Sequence, residues 1–251
     1  MSKIVLITGG NRGLGRADAL FAAKKGIDSI ITYRNNKDEA EAVVADIEKQ
    51  GQKAVALQLD TGDIHAFDGF VESVKQALKD TWQREDFDFL VNNAGHGLYQ
   101  PITDVTEEEF DSIVNVHFKG VFFLTQKLLP IMKDGGRIIN ISTGLTRFSQ
   151  PGSGVYAAAK GAVEILTHYL ALELGKRHIS AITVAPGAIA TDFGGGRTRD
   201  NQDINQFISS VTALGRAGEA DDIGGVVASL LTDETKWFSG TRIEVSGGMR
   251  L

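Results

Sequence analysis

The chain has 251 residues, is 42% apolar and carries a formal charge of −6. That balance supports a sizeable core, and with no basic stripe or polybasic segment it argues against nucleic acid or a membrane surface as a partner. Cysteine is absent, which excludes disulfides and thiolate metal sites.

Residues 3–8 form a short apolar run, the pattern of a buried strand. Leu14, Ala17 and Phe21 follow at the spacing of a helix stripe that ends before Gly26. The run before the first glycine is too short for a secretion signal, and no stretch reaches the roughly 18 apolar residues that cross a bilayer, so a cytoplasmic protein is expected. A second strand is predicted over 29–33, and Ala40, Val44 and Ile47 mark a second helix stopped by Gly51. A strand over 54–59, a helix over 64–78 and a strand over 87–91 come next. Thr106 with Glu109 makes a capping box for a long helix running toward Leu129 and Pro130. Strands over 137–141, 180–184 and 242–245 complete the set, with helices over 156–176 and 221–231 between them. Strands of this kind alternating with helices imply the α/β class. The expected architecture is a single domain over 1–251, a doubly wound, Rossmann-type, seven-stranded parallel sheet with helices on both faces. The stretch 193–206, which opens with Phe193 and three glycines, has no clear period and is expected to be a mobile flap.

Two patterns carry chemistry. Thr8-Gly9-Gly10-Asn11-Arg12-Gly13-Leu14-Gly15 follows the first strand and opens the first helix. Glycine lets backbone approach a ligand closely, and a helix start offers free N–H groups to a pyrophosphate, so a dinucleotide is expected here. A ribose with both hydroxyls free usually meets an acid at the end of the second strand. That end reads Thr32-Tyr33-Arg34-Asn35, and Arg12 and Arg34 would instead grip a 2′-phosphate, which predicts preference for NADP(H) over NAD(H).

The second pattern is Tyr156 and Lys160, four residues apart at the head of an apolar-faced helix and therefore one above the other on its surface. Tyr33 and Lys37 share the spacing without the surroundings. Ionising a phenol of pKa near 10 at pH 7 takes about 4 kcal/mol. A lysine about 4 Å away supplies ~1 kcal/mol in water but about 4 at an effective dielectric near 20, so the pair requires a site closed to solvent.

With these motifs in order along the whole chain, the sequence resembles the single-domain branch of the short-chain dehydrogenase/reductase superfamily. The resemblance implies hydride transfer between NADP(H) and a ketone or secondary alcohol, with Tyr156 as proton donor or acceptor and Lys160 beside it. It implies cofactor contacts from Gly9, Asn11, Arg12, Gly13 and Leu14, from Arg34, and from Asp60 at the third strand's end. It implies further contacts from Asn92, Ala94 and Gly95 in Asn92-Asn93-Ala94-Gly95, from Tyr156 and Lys160 themselves, and from Pro186, Gly187, Ile189 and Thr191. Asn115 matches the helix asparagine that relays protons. The serine thirteen residues before the tyrosine is replaced by Thr143, with Ser142 beside it. Strand alternation points the two to opposite faces, so one alone should orient the substrate, and Thr143 is the expected one. Leu145, Arg147, Phe148, Phe193 and Phe207 fall on segments that border the substrate, Arg147 being read as a plain surface residue, and His96 fits either the pocket or the surface. No metal is expected. Val163, Leu166, Leu170 and Leu174 hint, with the resemblance, at a homotetramer. Alternatives are a non-catalytic dinucleotide sensor and a reductase of 3-oxoacyl thioesters. Reduction of a carbon–carbon double bond is less expected, since resembling enzymes use a wider Tyr-to-Lys spacing.

Overall fold

The computed structural model describes Ser2 to Leu251. Seven strands form one parallel sheet in the order β3-β2-β1-β4-β5-β6-β7. They are β1 Lys3–Ile7, β2 Ile27–Tyr33, β3 Ala54–Gln58, β4 Phe87–Asn92, β5 Met132–Ile141, β6 Ser180–Pro186 and β7 Thr241–Val245. β2 and β4 are buried along their whole length, including the polar Asp28, Ser29, Thr32 and Asp88, as strands covered on both faces are.

Successive side chains point to opposite faces, and two cores result. Val5 and Ile7 of β1 pack with Ile31, Val91 and Val184 beneath α1 (Gly13–Lys24), α2 (Lys37–Glu48) and a C-terminal helix, Ala220–Leu230. Ile4 and Leu6 pack on the other face with Leu90, Ile138 and Ala181 and with α3 (Phe67–Ala77). Strand order reverses between β1 and β4, and the carboxyl ends of these strands open the crevice where ligands of such sheets bind.

The helix expected to run from Thr106 to Leu129 is interrupted. Thr106 and Glu109 do form the reciprocal cap of α4 (Glu107–Val114), but Asn115–Lys119 is a π turn, and the regular helix resumes as α5 (Gly120–Leu128). The wider turn inserts extra backbone and rotates the following side chains around the axis. The long α6 (Gly154–Glu173) crosses the sheet beneath the crevice. The stretch 193–206 is not irregular. Phe193–Gly196 is a short turn, followed by α7 (Arg197–Asp200) and α8 (Gln202–Ser210). Gly194, Gly195 and Gly196 all have φ between 62° and 76°, three left-handed residues in succession that only glycine takes up without strain. The C-terminal helix is α9.

Candidate active site

A cleft of about 440 Å³ lies over the carboxyl ends of β1 and β4. Thr8 closes β1, and its Oγ1 accepts from the amides of Asn93 and Ala94, both at 3.0 Å, which ties the glycine turn to the end of β4. Asn93 adds a side-chain amide that donates to the carbonyls of Thr8 at 2.9 Å and Gly9 at 3.2 Å. The turn leaves no room for side chains on its inner surface. A Cβ on Gly15 would come within 2.3 Å of the Gly9 carbonyl oxygen, and one on Gly10 within 2.7 Å of Ile31. Gly9, Asn11, Arg12, Gly13 and Leu14 all line the cleft, as expected. Arg12 and Arg34 lie at its mouth, both exposed, and neither forms an ion pair among the described residues. Asp60 reaches the same edge and accepts from Gly62 N at 2.8 Å.

Asn92 does not reach the cleft. It is buried at the end of β4, where its amide donates to Asn140 Oδ1 at 2.8 Å and Thr125 Oγ1 at 3.1 Å. Asn140 in turn donates to Thr167 Oγ1 on α6 at 2.9 Å, and Thr183 Oγ1 on β6 donates to the same oxygen at 3.0 Å. Asn93, one residue on and on the opposite side of the chain, lines the cleft in its place.

Ser142 and Thr143 diverge as strand alternation predicts. Ser142 Oγ donates to Glu164 Oε1 at 2.6 Å, away from the reacting groups, and Arg242 Nε holds the same carboxylate at 2.9 Å. Thr143 lines the cleft beside Tyr156, and its Oγ1 accepts from Leu145 N at 3.3 Å. Lys160 is buried beneath the phenol, its Nζ 5.9 Å from the Tyr156 ring centre and donating to the Ile141 carbonyl at 2.6 Å. Burial lowers Lys160 to about 7. Burial, then the neighbouring Tyr99, also raises the Tyr156 phenol, and the nearby Thr143 hydroxyl only partly offsets this. In the protein alone, therefore, desolvation outweighs the acidifying effect expected of Lys160, and the phenol rests protonated.

Asn115 does not join this group. It opens the π turn, half-buried, away from the cleft lining. The turn brings His117 there instead, 1% exposed and edge-on to the Tyr156 ring, with centroids 5.0 Å apart. His117 Nε2 lies 2.7 Å from the His96 carbonyl, the two imidazoles stack at 5.5 Å, and His96 Nε2 sits 2.9 Å from Ser112 Oγ. Burial, then the Lys160 charge, hold His117 well below its ordinary pKa, and burial with Arg34 lowers His96. Nothing in the periodicity marks His117, because a π turn shifts the register by which helix faces are read.

Leu145, Phe148, Phe193 and Phe207 line the other half of the cleft, joined by Tyr99, Ile208 and Met249, which sequence reasoning missed. The Arg197 guanidinium covers the Tyr99 ring at 4.6 Å. Pro186, Gly187, Ile189 and Thr191 line the floor near the end of β6. Arg147 is not a plain surface residue. It grips Glu244 through two nitrogens at 2.6 and 2.8 Å and donates to the Met249 and Arg250 carbonyls at 2.6 and 2.8 Å.

A family model described as enoyl-(acyl carrier protein) reductase matches residues 9–250. An uncharacterised oxidoreductase of Methylorubrum extorquens is 37% identical over 248 residues, covering 99% of this chain and 98% of the relative. The 3-oxoacyl-[acyl-carrier-protein] reductase of Staphylococcus epidermidis is 36% identical over 251 residues, covering 99% of each. Among solved structures, the angucycline C-6 ketoreductase LanV with bound NADP matches with a TM-score of 0.94 at 35% identity, over 99% of this chain and 95% of its own. Motif order, sheet topology and these full-length matches agree, and the chain belongs to the short-chain dehydrogenase/reductase superfamily.

Proposed function

We propose that the protein is an oxidoreductase that reduces a ketone to a secondary alcohol with NADPH, and runs the reverse reaction with NADP. The observation that carries this reading is the Tyr156 phenol, set over buried Lys160 and beside Thr143 in the same cleft as the glycine turn. The residues present suit the dinucleotide. Gly9 and Gly13 line the cleft at the start of α1, where backbone N–H groups can meet a pyrophosphate, and Arg12 and Arg34 offer two unpaired guanidiniums to a 2′-phosphate. The NADP bound by LanV supports the same choice.

When bound, the dinucleotide supplies or accepts the hydride. The chain does the rest. Thr143 donates to the substrate oxygen and orients it. Tyr156, protonated at rest, gives its proton to that oxygen as the carbonyl carbon is reduced. Lys160, titrating near neutrality, supplies positive charge beneath the phenolate that forms. The aromatic wall of Tyr99, Phe148, Phe193 and Phe207 excludes water from the exchange. A panel of ketones and alcohols, followed by absorbance of the reduced cofactor with both NADPH and NADH, tests the reading. Turnover should be lost in Tyr156→Phe, and NADPH affinity should fall in Arg34→Ala. Undiminished ketone reduction by Tyr156→Phe would overturn it in favour of a dinucleotide sensor.

A 3-oxoacyl thioester is the second substrate class, supported by the Staphylococcus relative. The four-residue spacing of Tyr156 and Lys160 favours either carbonyl over an enoyl double bond. The reading includes a cytoplasmic homotetramer. Val163 is buried and Leu170 and Leu174 pack on the core, but Ile165, Tyr169 and Leu172 of α6 remain exposed, as do Phe110 and Phe122 on α4 and α5, and they support self-association through these helices.

A further inference from the structure

Three large rings in the substrate half of the cleft, Tyr99, Phe193 and Phe207, are between 41 and 49% exposed, and the Phe193 ring lies 5.8 Å from the ring of Tyr156. Phe148 belongs to the same wall, with the Arg147 and Arg250 guanidiniums 5.5 and 5.3 Å from its ring. Tyr99 is clasped between two parts of the 193–206 stretch. A Cβ on Gly194 would come within 3.0 Å of its Cε2, and the Arg197 guanidinium lies 4.6 Å from the ring centre. The left-handed turn Gly194–Gly196 brings that guanidinium back over the ring. A guanidinium laid on a ring has its N–H donors around its own edge, free to reach a ligand. Two acids flank it in the sequence, Asp192 and Asp200, but Arg199 pairs with both. Arg197 itself lines the cleft, and among the described residues its side chain has neither an ion pair nor a hydrogen bond. Exposed rings and an uncompensated cation beside a reacting group are the complement of a ligand that is flat and negative.

We propose that the substrate is a flat aryl ketone carrying a carboxylate, and that Arg197 selects it by that charge. The inference rests on the ketone-reductase reading and narrows it. With the carbonyl oxygen at Tyr156 and Thr143, the ring that bears it meets Phe193, which stands at ordinary aromatic contact distance from the phenol. A rigid fused ring covers such a wall without giving up internal rotations, whereas an acyl chain loses several when it is held. The carboxylate, on the edge of the skeleton remote from the ketone, then meets the N–H edge of Arg197, which can take it through two parallel hydrogen bonds. The skeleton that covers the rings also removes water from this pair and strengthens it. Arg12 and Arg34 do not compete for the carboxylate, because they lie at the mouth beside the glycine turn, on the dinucleotide's side.

The test uses the full-length protein with NADPH and matched pairs of ketones, ring-carboxylated tetralones against their carboxamides, which have the same shape and no charge. The wild type should reduce at least one acid with kcat/KM about tenfold above that of its amide, chiefly through KM, and added salt should erode the preference. The preference should disappear in Arg197→Gln, survive in part in Arg197→Lys and invert in Arg197→Glu. Each variant is read as a ratio between two substrates, so general damage to the wall cancels. A 3-oxoacyl thioester of similar carbon number is the flexible comparison and should be the poorer substrate. Equal efficiency for acid and amide in every pair, a preference untouched by Arg197→Gln, or a thioester better than every acid would overturn the inference. So would a wild type that reduces other ketones but none of the acids. Failure of every ketone, the amides and the thioester included, would instead overturn the reading beneath it.

Discussion

Asp18 lies in the middle of α1, the helix whose start forms the glycine turn, and it is fully buried with neither carboxylate oxygen hydrogen-bonded. Burial raises its pKa well above the ordinary carboxylate value, so the folded protein holds this proton where the unfolded chain has already lost it. The sign follows from linkage. Below about pH 4 both states are protonated and the group is neutral to stability. As pH rises from there toward the folded-state pKa, unfolding releases a proton, and stability falls by about 1.4 kcal/mol per pH unit. Asp18→Ala removes both the titration and the unpaired polar atoms, which themselves cost about 1–3 kcal/mol, and gains some helix propensity. The variant should therefore be more stable than the wild type at pH 6, and its advantage should be larger at pH 6 than at pH 5, by up to about 1.4 kcal/mol. At this chain length that is about 3–5 °C in Tm, measurable by thermal scans at matched protein concentration. An advantage that stays constant between the two pH values, or a variant less stable at both, would refute the argument.

Thr143→Ala should lower kcat/KM for ketones by about 10²–10³, the usual scale for losing one donor to a developing oxyanion. Ser142→Ala should leave kcat near wild type and lower Tm slightly, because it removes one of the donors to the Glu164 carboxylate; steady-state kinetics and melting curves separate the two. Arg147→Ala releases the Met249 and Arg250 carbonyls and should raise ketone KM about tenfold through a misplaced wall, leaving NADPH affinity, measured by fluorescence titration, unchanged.

The sheet and the glycine turn were legible because their causes are local. Strands buried on both faces read as apolar runs, and backbone that must approach a ligand reads as glycine. The divergence of Ser142 and Thr143 was legible for the same reason, since a strand has a fixed period of two. The site failed to read true where geometry departs from a fixed period or depends on distant partners. His117 was hidden by the π turn, which displaces it from the face that an unbroken helix would give it. Asn92 turns into the core and Asn93 toward the cleft because the chain leaves its strand between them. The helices after Gly196 were obscured by three glycines, whose left-handed backbone has no pattern of its own. The role of Arg147 rests on Glu244 and on the last residues of the chain, some hundred positions away, and no local signal announces it.

The buried polar chain from Asn92 through Asn140 to Thr167 and Thr183 also acts on the reaction from a distance. An apolar interface alone would let a long helix slide or roll by a fraction of a turn with little penalty. Here the Thr167 hydroxyl accepts from β5 and β6 at once while donating to Val163 on its own helix at 2.8 Å. Any roll of α6 would orphan amide and hydroxyl groups where no water reaches, so the helix has a single permitted setting, like a shaft held by a key. Tyr156 and Lys160 inherit that setting three and two turns further up the same helix, and the aim of the phenol is thereby fixed before any ligand arrives.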